Sequence, residues 1–300
     1  MIAQGRSGEV ARQVPGFLPA GDRIRFPFFP PRHVAMLDRI ARRLGSLRIR
    51  CLVCGALTSI EVAGDNLREA CPCPRCGAIT RQRQLAYVIG LGLADGRRLP
   101  SLAEVGRRSN IAVYNTECRR GIHEALHRMP GYHCSEYLSP DLTSGSVVDG
   151  VEHQDLQALS FPDEAFDLVL SADVLEHVPD PYRAHAEIYR VLRAGGRHVF
   201  TVPYVETAAL DSVRARVLPD GRMEHLAKPE YHGDPVRPDE GALVFTIFGL
   251  EMIVRLGQLG YHVTVHHLHS LRYGILGGNQ LVFEAQRPVL PGEEDAAVTG

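Results

Sequence analysis

The sequence predicts an α/β fold on a mostly parallel sheet, with a small cysteine-organised module in front of it, and three observations lead there. Short apolar runs alternate with segments of helical period over residues 111–202, the pattern of repeated βαβ units. Five of the seven cysteines fall between Cys51 and Cys76. The 300 residues, 45% of them apolar, suffice for one large core and one smaller module.

Taken in order, residues 1–30 are rich in Gly and Pro, include Phe26-Pro-Phe-Phe-Pro-Pro31, and read as an extended arm. Val34, Leu37, Ile40, Ala41 and Leu44 recur at helical spacing, which predicts an amphipathic helix over 33–47. The cysteines follow, then a second helix over 81–93 carried by Leu85, Val88, Ile89 and Leu91, then a linker over 95–108. Strands are expected at 111–114, 133–137, 166–171 and 198–202, with helices at 121–129 and 181–192 between them. Asp180 is placed to cap the latter helix, Pro181 to occupy its first position and Gly195 to end it in left-handed conformation. The pattern breaks over 204–242, read as an insertion that caps the site, and resumes with a helix at 248–259 and strands at 262–266 and 280–285. Domains are therefore expected at 1–45 (arm and helix), 46–95 (cysteine module and helix) and 106–287, with a disordered tail at 288–300.

Charge is unevenly distributed, with 16 Arg against 7 acidic residues in the first hundred positions of a chain whose net charge is −2. Scattered solvated arginines or a polyanion-facing surface would both produce that bias. No stretch approaches the roughly 18 apolar residues of a membrane helix, and the first residues lack a signal-peptide apolar region. A soluble, cytoplasmic protein with reduced thiols is expected, which favours metal binding over disulfides.

Cys51-Leu-Val-Cys54-Gly55 and Cys73-Pro-Arg-Cys76-Gly77 are matched knuckles separated by eighteen residues, the spacing of a tetrahedral Zn²⁺ site. Each glycine follows a tight turn that asks for positive φ. Four thiolates leave no open position, so a structural zinc is expected on Cys51, Cys54, Cys73 and Cys76, with Cys71 an alternative to Cys73.

The run from Val151 to Asp180 contains Asp155-Leu156, Phe161-Pro-Asp163, Phe166-Asp167 and Leu175-Glu-His-Val178, followed by Arg190-Val-Leu-Arg-Ala-Gly-Gly196 and Val199-Phe-Thr-Val-Pro203. In this order the motifs resemble the type 11 family of class I methyltransferases, over roughly residues 108–204 with weaker support to about 285. The resemblance implies a Rossmann-like fold with a mostly parallel seven-stranded sheet, helices on both faces, and S-adenosylmethionine as methyl donor. Ligands of such sheets lie at the carboxyl ends of the strands, which selects Asn115, Thr116, Glu117, Glu136, Asp155, Leu156, Ser171 and Asp173 as cofactor-binding candidates. By the same resemblance Glu136 would accept the ribose hydroxyls and Asp155, with the backbone of Leu156, would hold the adenine amino group. The chain departs from the family in its first loop, where Tyr114-Asn-Thr-Glu-Cys-Arg-Arg-Gly121 replaces a glycine-rich turn.

In the insertion, Tyr231-His-Gly-Asp-Pro235 gathers a phenol, an imidazole and a carboxylate; His232 is the candidate base, with Tyr231 and His177 as candidate partners. Three functions remain open at this point. One is O-methylation of a small molecule or glycan by in-line transfer. Another is RNA methylation, with Arg50, Arg68, Arg75, Arg81 and Arg83 around the ribbon gripping nucleic acid. The third is a non-catalytic binding protein that kept the fold. Oligomeric state is not encoded in any of these features.

Overall fold

A computed structural model describes residues 31–94, 98–234, 236, 239–278 and 281–289. The expected arm, the tail from 290 onward and Pro235 lie outside them. In chain order the helices are α1 (Pro31–Leu44), α2 (Thr80–Leu91), α3 (Leu102–Arg108), α4 (Arg120–Leu126), α5 (Pro181–Val191) and α6 (Leu250–Gln258). The strands are β1 (Ser46–Arg50), β2 (Leu57–Glu61), β3 (Val113–Asn115), β4 (Tyr132–Cys134), β5 (Val147–Val148), β6 (Val151–Glu152), β7 (Phe166–Ala172) and β8 (Leu192–Thr201). The insertion adds β9 (Ser212–Val213), β10 (Ala215–Val217), β11 (Met223–His225), β12 (Tyr231–His232), β13 (Ala242–Leu243) and β14 (Thr246–Ile247), before β15 (His262–His267) and β16 (Leu281–Gln286).

The central sheet has six strands in the order β15-β16-β8-β7-β3-β4. Strands β4, β3, β7 and β8 run parallel, and β16 is antiparallel to both its neighbours. The expected seventh strand is reduced to a parallel bridge between Glu136 and His153. The chain before it is spent on the β5–β6 hairpin, where Asp149 (φ 51°) and Gly150 (φ 78°) supply the two positive-φ positions of a two-residue turn.

Side chains alternate across β7, so Leu168, Leu170 and Ala172 enter one core layer and Val169 the other. The second layer is closed by α5 and α6 through Ala184, Ile188, Val191, Met252 and Leu256. Asp180 caps α5 by accepting from the amides of Tyr182 (3.2 Å) and Arg183 (3.0 Å), with Pro181 at the first position, as the sequence predicts. Gly195 does have positive φ (79°), but α5 has already ended at Val191, so the glycine serves a bend inside β8 and not the helix stop.

The first layer contains the cysteine module itself. Cys51, Leu52, Ile60 and Leu85 belong to the same buried cluster as Leu168, Val199 and Val282, so ribbon and sheet share one core. The expected linker is partly helical: α3 carries a capping box in which Ser101 Oγ accepts from Glu104 N–H and Glu104 Oε2 accepts from Ser101 N–H. Its first amides donate to the knuckle carbonyls of Leu52 (2.8 Å) and Val53 (3.0 Å), which satisfies helix donors with the ribbon's own turn. None of the described helices is long and apolar enough to cross a membrane.

Candidate active site

The two knuckles fold identically. In each, the glycine amide donates to the first cysteine's carbonyl (Gly55 to Cys51 and Gly77 to Cys73, both 2.8 Å), and both glycines have positive φ. The sulfurs of Cys51, Cys54, Cys73 and Cys76 converge, with Cys51–Cys76 at 3.8 Å and Cys54–Cys73 at 3.9 Å. Zinc–sulfur bonds of about 2.3 Å in tetrahedral geometry put the sulfurs roughly 3.8 Å apart, so the residues fit the ion. Cys71 is buried outside this group, which leaves Cys73 as the second knuckle's ligand. Beneath the cluster the fully buried Arg83 donates to the carbonyls of Ala78, Cys71 and Gly274. A guanidinium there offsets part of the negative charge of four thiolates, a role no spacing pattern in the sequence announces.

The remaining two cysteines correct the expectation of reduced thiols: Cys118, in the first loop, is disulfide-bonded to Cys134 at the end of β4. Residues far apart in sequence meet because β3 and β4 are parallel neighbours whose carboxyl ends lie side by side.

Those ends carry most of the cofactor candidates. Asn115 donates to the Glu117 carbonyl (2.6 Å) and to the Tyr132 hydroxyl (2.9 Å), which shapes a loop without glycine. Thr116 is buried, and among the described residues its hydroxyl has no hydrogen-bond partner. Glu136 accepts the Cys118 amide (3.0 Å); burial pushes its carboxyl above the ordinary range despite that bond. Asp155 turns back on the amide and side chain of Gln157, and Leu156 is buried beside it.

Two candidates are engaged elsewhere. The Ser171 hydroxyl pairs with His198 Nε2 (2.9 Å) on the face that packs against α5, away from the loops. Asp173, with φ 55°, is held by the ribbon: Arg68 donates to both of its oxygens, at 2.8 and 3.0 Å, and Arg81 lies 3.2 Å from it while donating to the Ala172 carbonyl. Burial alone would raise the Asp173 carboxyl, but the two guanidiniums outweigh it and hold it well below the usual range.

Beyond β7 the chain makes a short turn, Leu175–His177, and the insertion folds over it. The Phe245 amide donates to the Glu176 carbonyl (2.7 Å), and the Leu243 carbonyl accepts from His177 Nδ1 (2.8 Å). On the neighbouring β12, His232 places Nδ1 3.5 Å from Glu176 Oε1, while His177 Nε2 lies 3.7 Å from the same oxygen. Glu176 is 0% exposed, and among the described residues neither carboxylate oxygen has a hydrogen bond. Burial pushes its carboxyl upward, and Glu176 in turn raises the proton affinity of His232. Sequence reading selected both histidines but missed the carboxylate between them. Tyr231 is not brought into the group: the neighbouring position on a strand faces the other way, and its ring is 57% exposed.

A mostly parallel sheet with helices on both faces and its polar groups at the carboxyl ends is the Rossmann-like class I methyltransferase fold. Residues 127–200 match the family model Methyltransf_11, described as "Methyltransferase domain". The chain is 29% identical over 137 residues to sarcosine/dimethylglycine N-methyltransferase of Halorhodospira halochloris, covering 40% of this chain and 49% of that one. It is 32% identical over 84 residues to 27-O-demethylrifamycin SV methyltransferase of Amycolatopsis mediterranei, 27% of this chain and 31% of that one. It thus spans about half or less of these curated relatives. A solved S-adenosylmethionine-dependent methyltransferase from Mesorhizobium loti aligns with TM-score 0.37 at 16% identity, over 59% of this chain and 91% of that one.

Proposed function

We propose that the protein is an S-adenosylmethionine-dependent methyltransferase that methylates a hydroxyl oxygen of a small molecule or glycan, with a structural zinc in its ribbon. The observation that carries the acceptor side is the buried, unbonded Glu176 carboxylate between His177 and His232, beside the carboxyl end of β7. When bound, the cofactor supplies an electrophilic methyl group on a sulfonium sulfur. Glu136 and Asp155 would hold it as acceptors of hydroxyl and amino donors, with Leu156 beside the adenine and Asn115, Thr116 and Glu117 forming the loop against it.

In-line displacement asks the protein mainly for alignment and exclusion of water. The insertion supplies the second, since β12 and β13 close over Glu176. On this reading His232 would take the acceptor hydroxyl proton, and the Glu176 carboxylate, 3.5 Å from His232 Nδ1, would stabilise the resulting imidazolium. A relative named as an O-methyltransferase of a rifamycin agrees with this acceptor class. The ribbon arginines support it too, because Arg50 is tied to Glu104, Arg68 and Arg81 to Asp173, and Arg83 is buried. Of the five arginines an RNA-binding ribbon would use, Arg75 stays exposed.

Isothermal titration with S-adenosylmethionine and S-adenosylhomocysteine, followed by transfer of labelled methyl to hydroxylated small molecules, glycans and RNA, tests this reading. Absence of binding of either cofactor form would overturn it, and label in RNA alone would replace the acceptor class.

A further inference from the structure

We propose that Glu176, His177 and His232 form a second metal site, for a divalent transition-metal ion bound by two imidazoles and one carboxylate. One ligand atom from each residue lies within 4.8 Å of the others. The two measured separations to Glu176 Oε1, 3.5 and 3.7 Å, are near the roughly 3–3.6 Å that bonds of about 2.0–2.2 Å to one ion require.

Three features single this cluster out from an ordinary polar group. The carboxylate is wholly buried and, among the described residues, both of its oxygens lack a hydrogen bond, a costly arrangement for a protein to retain without a ligand. His177 gives its Nδ1 proton to the Leu243 carbonyl at 2.8 Å, so the Nε2 lone pair is presented to the cluster. That is the arrangement by which a backbone acceptor fixes the tautomer of a metal-ligating histidine. His232 turns Nδ1 towards Glu176, with the Glu230 carboxylate behind the imidazole at 3.6 Å from Nε2, beyond hydrogen-bond distance.

The donor set selects the metal. Two nitrogens and one oxygen suit Zn²⁺, Mn²⁺, Fe²⁺ or Co²⁺, whereas Mg²⁺ and Ca²⁺ prefer all-oxygen shells. Three protein ligands leave positions open, and the matching ligand class is an oxygen donor, above all a hydroxyl or a pair of neighbouring hydroxyls. The connection to the acceptor rests on the methyltransferase assignment of the proposed function: with the ion bound, His232 would serve as a ligand and the ion would acidify an acceptor hydroxyl, whereas the base role applies to the metal-free site.

The ribbon must be kept out of the measurement. Full-length protein with one zinc per chain in the ribbon is titrated, without cofactor, with Mn²⁺ followed by electron paramagnetic resonance and with Co²⁺ followed by visible absorption. The expected result is one further ion per chain, with Co²⁺ bands lacking thiolate charge transfer. Affinity should fall at least about tenfold in both E176Q and H232A, with ribbon zinc and circular dichroism unchanged. His232 sits half-exposed on a two-residue strand, so H232A keeps the test valid should E176Q misfold. No ion beyond the ribbon zinc, or binding of undiminished affinity in folded H232A, overturns the site. Cofactor titration of the same samples reads the methyltransferase assignment separately.

Discussion

Arg68 grips Asp173 with both terminal nitrogens, one on each carboxylate oxygen, and so ties a ribbon residue to the end of a central strand 105 positions away. The pair is mostly buried, and Arg81 and Glu69 extend it into a network. R68A leaves Asp173 only Arg81 as a counter-charge and D173N leaves Arg68 only Glu69, so each should lose about 1–3 kcal/mol of unfolding free energy. Urea unfolding of the two single variants and the double variant measures this. Strict additivity would contradict a direct coupling.

Because ribbon and sheet share one core, metal removal should reach the whole molecule. Chelation, or C76S, is expected to lower Tm by about 10 °C or more and to keep one cooperative transition, since each kcal/mol moves a chain of this size by roughly 2–4 °C. Differential scanning calorimetry would show two separate transitions if the ribbon unfolded alone.

His185, sealed under the sheet with both ring nitrogens unpaired, predicts acid lability. Burial pushes its pKa down to about 3 from an ordinary 6.5. The unfolded chain therefore takes up a proton that the folded one refuses, and stability falls as pH drops from 6.5 towards 3. H185F should flatten that slope in denaturation curves collected between those limits; an unchanged slope would assign it to other groups.

Cofactor affinity should depend on pH through Glu136. An ionised carboxylate accepts two ribose hydroxyls more strongly than the protonated acid, which keeps only part of that acceptor capacity, and burial raises this one's pKa. Affinity is expected to rise with pH through that raised value and to become weaker and flat in E136Q. Calorimetric titration across the acidic range decides it.

The sequence makes legible what depends on neighbours along the chain. The knuckle spacing picks out the four cysteines whose sulfurs converge, Asp180-Pro181 marks the start of α5, and Ser101 to Glu104 spells a capping box that the linker reading passed over. Asp149-Gly150 likewise announces the β5–β6 hairpin, a stretch to which the sequence reading assigned no element. What could not be read depends on contacts across the fold. Glu176 meets His232 only because β12 pairs with β13, whose Leu243 sits on His177. The pairing of Cys118 with Cys134 needs the parallel register of β3 and β4. Tyr231 stands apart from the cluster for a local reason: in a strand the next residue points to the opposite side.

The shared core also imposes an order on synthesis. Arg83 reaches the Gly274 carbonyl across 191 positions, and Ile49 and Ile60 close on Gly274 itself. A growing chain has its ribbon complete long before the strand at 281–286 exists, so the apolar flank of that ribbon stays uncovered until translation is nearly finished. For that interval the knuckles would have a bound metal and their local contacts with β2 and α3, but no sheet, to hold them together. Zinc supply during translation, more than the stability of the finished protein, would then set how much of the newly made chain escapes aggregation.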